Sequence, residues 1–568
     1  MLPAILFALP LALTQDLALR APVSLGNLPG LAGSSRFAVG PDRAVFSVVQ
    51  PAGGGLNVTW SDGRGLAWSA PLGLPLAPSG ATLKDQRLLL AGDQLLVQWD
   101  DTRFHPGAGF GQPQSSPFLR RFDFANAQLG PELALPTFGL LGQVETRVRE
   151  AVSAQVGGQS HVHLLLRTQR FFAPVGYEWR LLSSHDGGQS FPFVLDLALD
   201  TVLDLPTDLS VEGPTVHVLL REKHFRSLDG GQSLDPTADR ILPIPPSGLA
   251  SSVALHRAGG ALIAAWVRSE LTPGGQKNNF VEASVSTDGG TLFGPLEVIS
   301  GTFSSLESWV LHEVFHMQAA GTFVVAWRTI NQGFPQGFVR CASRAAALPW
   351  TTTDLTPAPI FSPQWVGLVA DPLQRSRLVA VWSSVDLVLP ILNLSVVKLS
   401  LDGGRSWGPS QVATTPGSLA RHVGFEPGYQ NAILITQGSG PWQAGGGRPQ
   451  RILPSGFVAG PTQIGAQFRA FDDGSSQAWL LAALSTAPLP VPDGRLLGLG
   501  VDALLLESLN LALTGPLAAA LDASGNGQLA ALTLGLPAGL SLSLVGLSLD
   551  PQNFTIGDLS DVVTVTAN

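Results

Sequence analysis

Short apolar segments recur along the chain, and turns rich in Gly and Pro separate them. Six of these segments are rich in β-branched or aromatic residues and are too short for typical helices. They are Leu95–Asp101, His163–Arg167, His217–Arg221, Ile263–Arg268, Val324–Arg328 and Val379–Ser384. Near-continuous apolar runs of this length are typical of strands that are buried on both faces. The pattern predicts an all-β protein in which each segment is the equivalent second strand of a repeated unit.

A second pattern, S-x-D-G-G, follows four of these segments. It occurs in Ser183–Phe191, Arg226–Leu234, Val285–Phe293 and Leu399–Trp407, and three of the four copies end in an aromatic residue. Two glycines let the chain turn with positive φ between antiparallel strands, while Asp and Ser side chains bond the amides of the turn. We expect these segments to be structural turns.

The four copies resemble the Asp-box, or bacterial neuraminidase repeat, of sialidases and related β-propellers. The two full copies contain Ser184, Asp186 and Gly188, and Ser400, Asp402, Gly404 and Trp407; the partial copies contain Asp229 and Gly231, and Asp288 and Gly290. The resemblance implies a β-propeller in which the boxes lie on the side away from the active site.

The spacing of the boxes predicts the number of blades. They recur at intervals of roughly 40–60 residues, as blade repeats do. Eroded copies fall at similar steps in Trp60–Trp68, Phe122–Gly130 and Phe338–Trp350. We therefore predict seven blades, with six or eight as alternatives. Phe471–Trp479 is either an eighth repeat or the first strand of the next domain.

A signal peptide and two domains are expected. Residues 1–14 resemble a signal peptide, although a basic n-region is missing, so the protein is predicted to be secreted or held in the cell envelope. Residues 20–484 form the propeller. Residues 485–568 begin with a Pro-rich linker and read as a small immunoglobulin-like β-sandwich. Leu529–Leu549 has no charge, but it alternates with period two and contains Pro537, so we predict strands and no membrane span.

The segment Leu311–Gln318 contains H-E-x-x-H, with His312, Glu313 and His316. On a helix this spacing holds zinc and places the glutamate to activate water. The segment aligns, however, with the first strand of a blade, where Glu313 would point away from both histidines. We therefore predict a strand and no metal site, with a zinc metalloprotease as the least favoured alternative.

The net charge and the cysteine count exclude one class of binding partner and one kind of covalent bond. The net charge of −9 gives no basic footprint for nucleic acid, and the single cysteine, Cys341, excludes an internal disulfide. No cofactor motif is recognised. The remaining expectation is a glycan or other anionic polymer.

Arginines lie at or just beyond the ends of five predicted second strands: Arg103, Arg167, Arg221, Arg268 and Arg328. Their guanidinium groups would suit a carboxylate or sulfate ligand. The acidic residues Asp100, Asp101, Glu222 and Glu270 accompany them. The alternative is that these polar residues simply end buried strands.

The resemblance to sialidases implies an arginine triad, a tyrosine nucleophile tuned by a glutamate, and an aspartic acid as the proton donor. Tyr429, with Glu426 and Arg421 nearby, is the best match in chain order, and Asp100 or Asp101 is the candidate acid. The F/Y-R-I-P motif of that family is absent. Two hypotheses follow: a sialidase-like glycoside hydrolase, or a noncatalytic propeller that binds a polymer or protein at the cell surface.

Overall fold

A computed structural model describes residues 18–566 apart from short segments, the longest of which are 102–114, 385–393 and 487–498. The predicted signal peptide lies outside the described residues. The chain is almost entirely β, as predicted, and its antiparallel sheets follow one another along the sequence.

Eight sheets in the described part of the chain share a four-stranded path, and we call them blades 1–8. The first strand of the chain is β1 (Ala18–Ser24). Blade 1 contains β2 (Ser35–Val39), β3 (Ala44–Val49), β4 (Gly55–Trp60) and β5 (Leu72–Pro75), and blade 2 contains β6 (Leu83–Ala91), β7 (Gln94–Asp101), β8 (Ser116–Asp123), β9 (Gln128–Leu129) and β10 (Leu133–Ala134). Blade 3 contains β11 (Gln143–Val156), β12 (Gln159–Arg170), β13 (Gly176–Ser184) and β14 (Phe193–Asp200). Blade 4 contains β15 (Thr207–Glu212), β16 (Thr215–Leu220), β17 (Lys223–Ser227) and β18 (Arg240–Ile241).

The second half of the ring has the same organisation. Blade 5 contains β19 (Leu249–Ala258), β20 (Ala261–Leu271), β21 (Lys277–Ser286) and β22 (Glu297–Val298), and blade 6 contains β23 (Glu307–Met317), β24 (Thr322–Asn331), β25 (Gln336–Ala345), β26 (Thr351–Asp354) and β27 (Ile360–Phe361). Blade 7 contains β28 (Pro363–Ala370), β29 (Leu378–Ser384), β30 (Leu394–Ser400) and β31 (Gln411–Val412). Blade 8 contains β32 (Leu419–Glu426), β33 (Asn431–Gln437) and β34 (Gln443–Arg448) and is completed by β1.

The blades close into a ring. Neighbouring first strands contact one another in the order β2, β6, β11, β15, β19, β23, β28, β32 and back to β2. Each of the eight interfaces has its own apolar core: Val45 of blade 1 packs with Val97 of blade 2, for example, and Phe46 of blade 1 packs with Ile433 of blade 8. The fold is therefore a β-propeller whose first strands surround a central channel.

The favoured count of seven blades is thus corrected to eight within the described residues. The seven predicted repeats coincide with blades 1–7. Blade 8 takes its outermost strand from the N-terminus, because Leu19 of β1 pairs with Gly447 of β34. No turn joins the third and fourth strands of this blade, so it has no place for a box.

A second unit follows the propeller. It contains β35 (Arg451–Ser455), β36 (Gln463–Arg469), β37 (Gln477–Ala483), α1 (Ala503–Leu513), β38 (Ala518–Ala520), β39 (Gly527–Thr533), β40 (Ser541–Asp550), β41 (Thr555–Leu559) and β42 (Val563–Thr566). Two antiparallel sheets and α1 share one apolar core that includes Phe468, Leu505 and Leu544. Because β35–β37 pair with later strands of this unit, strand pairing divides the chain near residue 450 and not at residue 484.

The apolar tail segment Leu529–Leu549 contributes to the strands β39 and β40 of this unit, as predicted. No helix within the described part of the chain combines the length and apolarity that a bilayer span requires. The helix α1 was not predicted, and the immunoglobulin-like topology stays a prediction.

Candidate functional site

The Asp-box turns are held by their own side chains. Asp186 Oδ1 accepts hydrogen bonds from the amides of Gln189 and Ser190 at 2.9 and 3.0 Å, and the Ser184 hydroxyl donates to the same oxygen at 2.7 Å. Asp229, Asp288 and Asp402 make equivalent bonds. Partial burial would raise the pKa of Asp229, but the bonds from Ser233 and Ser227 outweigh it and lower the pKa to about 2. These four segments are therefore turns that are held by their own side chains.

Each of the four boxes also packs against the preceding blade. The second glycine of the box contacts the second strand of the preceding blade: Gly188 lies against Leu96, Gly231 against His163, Gly290 against His217 and Gly404 against Val324. In blades 3 and 4 a buried histidine thus replaces an aliphatic residue. Burial lowers the pKa of His163 to about 3, so this imidazole is neutral at pH 7. These histidines serve packing.

The first strands around the channel are joined by side chains that bond the backbone of the next blade. In blade 4, Asp208, Ser210 and Glu212 accept the amides of Leu255, Arg257 and Gly259 of blade 5 at 2.5, 3.1 and 2.6 Å. In blade 3, the Ser153 hydroxyl donates to Leu90 O of blade 2 at 2.7 Å. Polar residues on the channel wall therefore hold the ring together without exposing backbone groups.

A cavity of about 520 Å³ lies between the first strands of blades 3–6. This volume is within the range of small-ligand sites, roughly 300–1,000 Å³. Its polar lining includes Glu150, Ser153, Thr207, Asp208 and His256, and its apolar lining includes Val152, Leu209, Val253 and Phe315. The rings of His256 and Phe315 are tilted against each other with centroids 5.1 Å apart.

Two carboxyl groups dominate the electrostatics of this cavity. Burial raises the pKa of Asp208 to about 7, and the neighbouring Glu150 raises it further. Burial also raises the pKa of Glu150, against the opposing fields of Arg87 and Arg149. Both oxygens of Asp208 accept backbone amides, those of Leu209 and Leu255. Among the described residues, Glu150 receives only a long bond from the Thr207 hydroxyl, at 3.4 Å, so it is the carboxyl that is available to a ligand.

The walls of the channel are also marked by β-bulges. Six first strands have a register shift at similar depth, and the extra residues are Lys84, Arg149, Ser251, His312, Gln364 and Arg421. All six residues are polar. Bulges are frequent beside functional sites, where they redirect a side chain.

The five candidate arginines do not form a common site among the residues described. Arg103 lies outside the described residues. Arg167 is buried, 3.7 Å from Glu145 Oε2 and 5.0 Å from the centre of the Tyr177 ring, all within blade 3. Arg268 makes a double hydrogen bond to Glu282 and a further bond to Glu270 in blade 5. These two arginines are neutralised within their own blades.

The other two described arginines, Arg221 and Arg328, also lie in separate blades. Arg221 occupies the tight turn after β16 with φ of 51° and donates to Glu222 at 2.6 Å. Arg328 lies on β24, where burial lowers its pKa. The predicted ring of guanidinium groups is therefore replaced, for Arg167, Arg221 and Arg268, by separate ion pairs.

The candidate acids are fully buried in blade 2. Asp101 Oδ2 accepts the indole N–H of Trp99 at 3.0 Å, and Asp100 Oδ1 accepts the amide of Gln98 at 2.8 Å. Burial raises the pKa of Asp100 to about 7. With no exposed surface, these carboxyls support the blade, and their predicted catalytic role stays a prediction.

The structure separates the members of the proposed tyrosine site. Tyr429 lies outside the described residues. Glu426 pairs with Asn431 at the turn between the first and second strands, and in blades 3–5 the corresponding turns bond the box turns. Glu426 is therefore on the box side of the ring. Arg421 is five residues earlier on the same strand, about 17 Å away along an extended chain.

The H-E-x-x-H segment is part of the strand β23, as predicted, and His312 is its bulge residue. A zinc protease site requires both histidines on one helical turn, so the metalloprotease alternative lacks its geometry. Within the described residues, no group of three His, Cys, Asp or Glu side chains is placed to hold a metal ion.

Glu150 and Asp208 were missed by sequence reasoning. They stand at equivalent positions of the first strands of blades 3 and 4, opposite Leu165 and Leu219. Each of these first strands contains a second acidic residue, Glu145 in β11 and Glu212 in β15, so the sequence alone does not single out the two that reach the cavity.

No protein-family model matches the chain, and no curated protein matches it. Among solved structures, it is similar to the WD40 domain of SCAP from fission yeast, with 9% identity and a TM-score of 0.40 over 76% of this chain and 98% of that chain. It is similar to Trypanosoma rangeli sialidase in complex with sialic acid, with 11% identity and a TM-score of 0.32 over 96% and 92%. It is also similar to Kuenenia stuttgartiensis hydrazine synthase, with 12% identity and a TM-score of 0.31 over 61% of this chain and 91% of that chain. These likenesses are too distant to assign a family or a function.

Proposed function

We propose that this propeller binds a glycan in the channel cavity and does not turn it over. The observation that carries the proposal is the cavity itself, which places hydrogen-bonding groups from Glu150, Ser153 and Thr207 beside the His256–Phe315 ring pair. Carboxyl and hydroxyl groups suit the hydroxyls of a sugar, and an aromatic face suits its apolar C–H face. The volume fits one or two sugar rings.

Binding is favoured over hydrolysis by the state of the two cavity carboxyls. Most glycoside hydrolases use two acidic side chains that flank the scissile bond. Asp208 accepts amides with both oxygens and joins blade 4 to blade 5, so Glu150 is left as the carboxyl that can face a ligand. One carboxyl supplies recognition but not the paired acid and nucleophile.

Exo-sialidase activity is the alternative within the same proposal. It would require Tyr429 to act with Glu426, which lies on the box side of blade 8, and a set of unpaired arginines on the opposite face. The internal ion pairs of Arg167 and Arg268 argue for binding. An exported location, with residues 1–14 removed, belongs to the proposal as well.

A glycan array tests the proposal. Wild type is expected to bind a restricted set of glycans, and Glu150→Ala is expected to lose that signal. Glu507→Ala, which alters an exposed residue of α1 in the second unit, is the matched control and should bind as wild type does. Turnover of a fluorogenic sialoside by wild type, abolished in Tyr429→Phe, would overturn the conclusion and establish hydrolysis.

A further inference from the structure

A chain of hydrogen bonds leads from the cavity wall into the interface between blades 4 and 5. Arg257, which lines the cavity, has its Nη1 3.1 Å from His217 Nε2. His217 Nδ1 is in turn 2.9 Å from His224 Nε2, and the two imidazole rings are stacked with their centres 5.2 Å apart. Both imidazoles are buried. Besides packing against Gly290, His217 therefore connects a residue of the cavity to a second histidine.

The arginine fixes the positions of the protons in this chain. A guanidinium group can only donate hydrogen bonds, so His217 Nε2 accepts and carries no proton. A neutral His217 then has its proton on Nδ1 and donates it to His224 Nε2, which leaves the proton of His224 on its own Nδ1. Each nitrogen that takes part in the chain has one role, and both histidines are neutral.

An added proton does not fit this arrangement. If His217 takes it up, Nε2 becomes a donor that points at the guanidinium group of Arg257. If His224 takes it up, its Nε2 becomes a donor, so His217 must accept through Nδ1 and keep its proton on Nε2. In both cases an N–H group of His217 opposes an N–H group of Arg257. Protonation of either imidazole therefore breaks the bond between His217 and Arg257.

The surroundings of the pair oppose a further proton. Burial lowers the pKa of His217 well below the ordinary histidine value of 6.5, and the neighbouring His224, Arg257 and Arg226 lower it further. Arg226 lies opposite His217 on β17 and is bonded to Asp235. The elements packed against the pair also carry Asp208, Glu212, Lys223 and Asp288. The pair is thus neutral at pH 7.5 and takes up a proton only in acid.

A displaced Arg257 has alternative partners on the cavity wall. Its Nε is 2.8 Å from Glu212 Oε2 of β15. Asp208 and Glu150 are the carboxyl groups of the cavity lining. A guanidinium group that loses its bond to His217 remains a largely buried cation, and such a cation is costly unless carboxyl groups compensate it. Movement of Arg257 toward the cavity carboxyls would fill space that a ligand uses.

We infer that His217 and His224 form an acid-sensitive switch, which holds Arg257 in place at neutral pH and releases it, with loss of ligand affinity, when the pair is protonated. Histidine suits this role because its charge changes close to neutral pH. The inference rests on the proposed function and deepens it, because it adds regulation to the same cavity. The protein is then expected to bind its ligand at neutral pH and to release it in acid.

Calorimetric titration of the glycan with the strongest array signal, at pH 7.5 and 4.5, tests the switch. Wild type is expected to bind about 10-fold or more weakly at the lower pH, the effect of one charged hydrogen bond. The amide of His217→Gln cannot be protonated, while its oxygen can still accept from Arg257, so this variant should lose less affinity. The cavity carboxyls titrate in both proteins and contribute equally. Equal losses in wild type and His217→Gln would overturn the inference.

The matched control is His163→Gln. His163 lies at the equivalent position of blade 3, against Gly231, but its partner is Ser183, which is not among the described residues that line the cavity. This variant should show the wild-type loss of affinity. Two other results would overturn the inference: a wild-type affinity that does not change with pH, and a His163→Gln variant that loses the pH dependence as His217→Gln does.

Nitrogen NMR of histidine-labelled protein separates the switch from the proposed function, because it needs no ligand. At pH 7.5 the signals that disappear in His217→Gln and in His224→Gln should belong to neutral imidazoles protonated on Nδ1. Arg257→Met removes the opposing donor, so the pair should take up its proton at higher pH than in wild type. Should His217→Gln fail to fold, Arg257→Met and the wild-type signals carry the comparison.

The two experiments together distinguish the possible failures. The expected NMR signals and titration, without binding of any glycan, would keep the proton arrangement and reject the glycan as its ligand. Glycan binding by a protein in which His217 is protonated on Nε2 at pH 7.5, or in which Arg257→Met titrates as wild type does, would keep the glycan and reject the switch.

Discussion

Gly231, in the box turn of blade 4, lies against Ser183 of blade 3 so closely that a Cβ atom at residue 231 would stand 2.0 Å from Ser183 Oγ. Its φ is 81°, a conformation that side chains with a Cβ rarely adopt. The same glycine therefore allows the turn and sets the distance between two blades.

Gly231→Ala should accordingly destabilise the propeller by about 2–5 kcal/mol, because the strained φ and the overpacked interface add. Gly213→Ala is the matched control: φ is also positive, at 55°, but nothing lies within 4 Å of the added atom. It should cost about 1–2 kcal/mol. Urea denaturation followed by tryptophan fluorescence measures both. Equal losses would show that the inter-blade contact is unimportant.

Acid should loosen the interface between blades 3 and 4. His163 has a folded pKa of about 3, below its unfolded value of 6.5, so its contribution to stability is present above pH 6.5 and is lost as pH falls towards 3. Within this pH window, each such buried histidine lowers the free energy of unfolding by about 1.4 kcal/mol for every pH unit of acidification.

Replacement of His163 by the residue that blade 2 uses, as His163→Leu, tests this expectation. The variant loses the bond to Ser183 Oγ at 2.9 Å, so it should be somewhat less stable at pH 7.5. Its stability should nevertheless fall less steeply than that of wild type between pH 6.5 and 4.5. Parallel pH profiles would contradict the account.

Asp100 has the opposite pH dependence. Its folded pKa of about 7 lies above the ordinary aspartate pKa of 3.8, so its stability contribution is complete below pH 3.8 and is lost as pH rises to 7. Asp100→Asn avoids the ionisation and keeps the size of the side chain. The free energy of unfolding of the variant should rise relative to that of wild type by about 1.4 kcal/mol per pH unit between pH 4 and 7. Denaturation at pH 4.5 and 7.5 measures the difference, and a constant gap would contradict the expectation.

The N-terminal strand should be required for closure of the ring. Deletion of residues 1–24 removes β1 and leaves the outer edge of β34, in blade 8, unpaired. We expect a lower melting temperature and self-association, as open strand edges promote. Deletion of residues 1–14 alone is the control and should leave melting unchanged. Size-exclusion chromatography and calorimetry distinguish the two deletions.

The local turn chemistry was predictable from the sequence because each box carries its own partners. Asp186 bonds residues three and four positions away, and Ser184 bonds Gly188, so the pattern S-x-D-G-G contains the whole hydrogen-bond network. The blade count was not predictable from the boxes alone. Blade 8 closes through a strand from the other end of the chain, and that pairing leaves no local signature.

The candidate site was predicted less well because its determinants are non-local. The sequence around Arg268 does not show its main partner, because Glu282 on the neighbouring strand accepts hydrogen bonds from its Nε and Nη2. Conversely, Glu150 and Asp208 lie far apart in sequence, and only ring closure brings them to one cavity. The helix α1 was not predicted because alternating strand patterns dominate the sequence of the tail. Its N-terminus is capped by Asp502, which accepts the amide of Leu505 at 3.0 Å.

The most direct test of the central claim is calorimetric titration of the strongest array glycan into wild type, Glu150→Ala and Glu507→Ala at pH 7. A ligand in the channel cavity should bind wild type and Glu507→Ala equally, and Glu150→Ala about 10-fold or more weakly, since a buried hydrogen bond to a carboxyl is lost. Unchanged affinity in Glu150→Ala would place the ligand elsewhere and contradict the assignment of the cavity as the binding site.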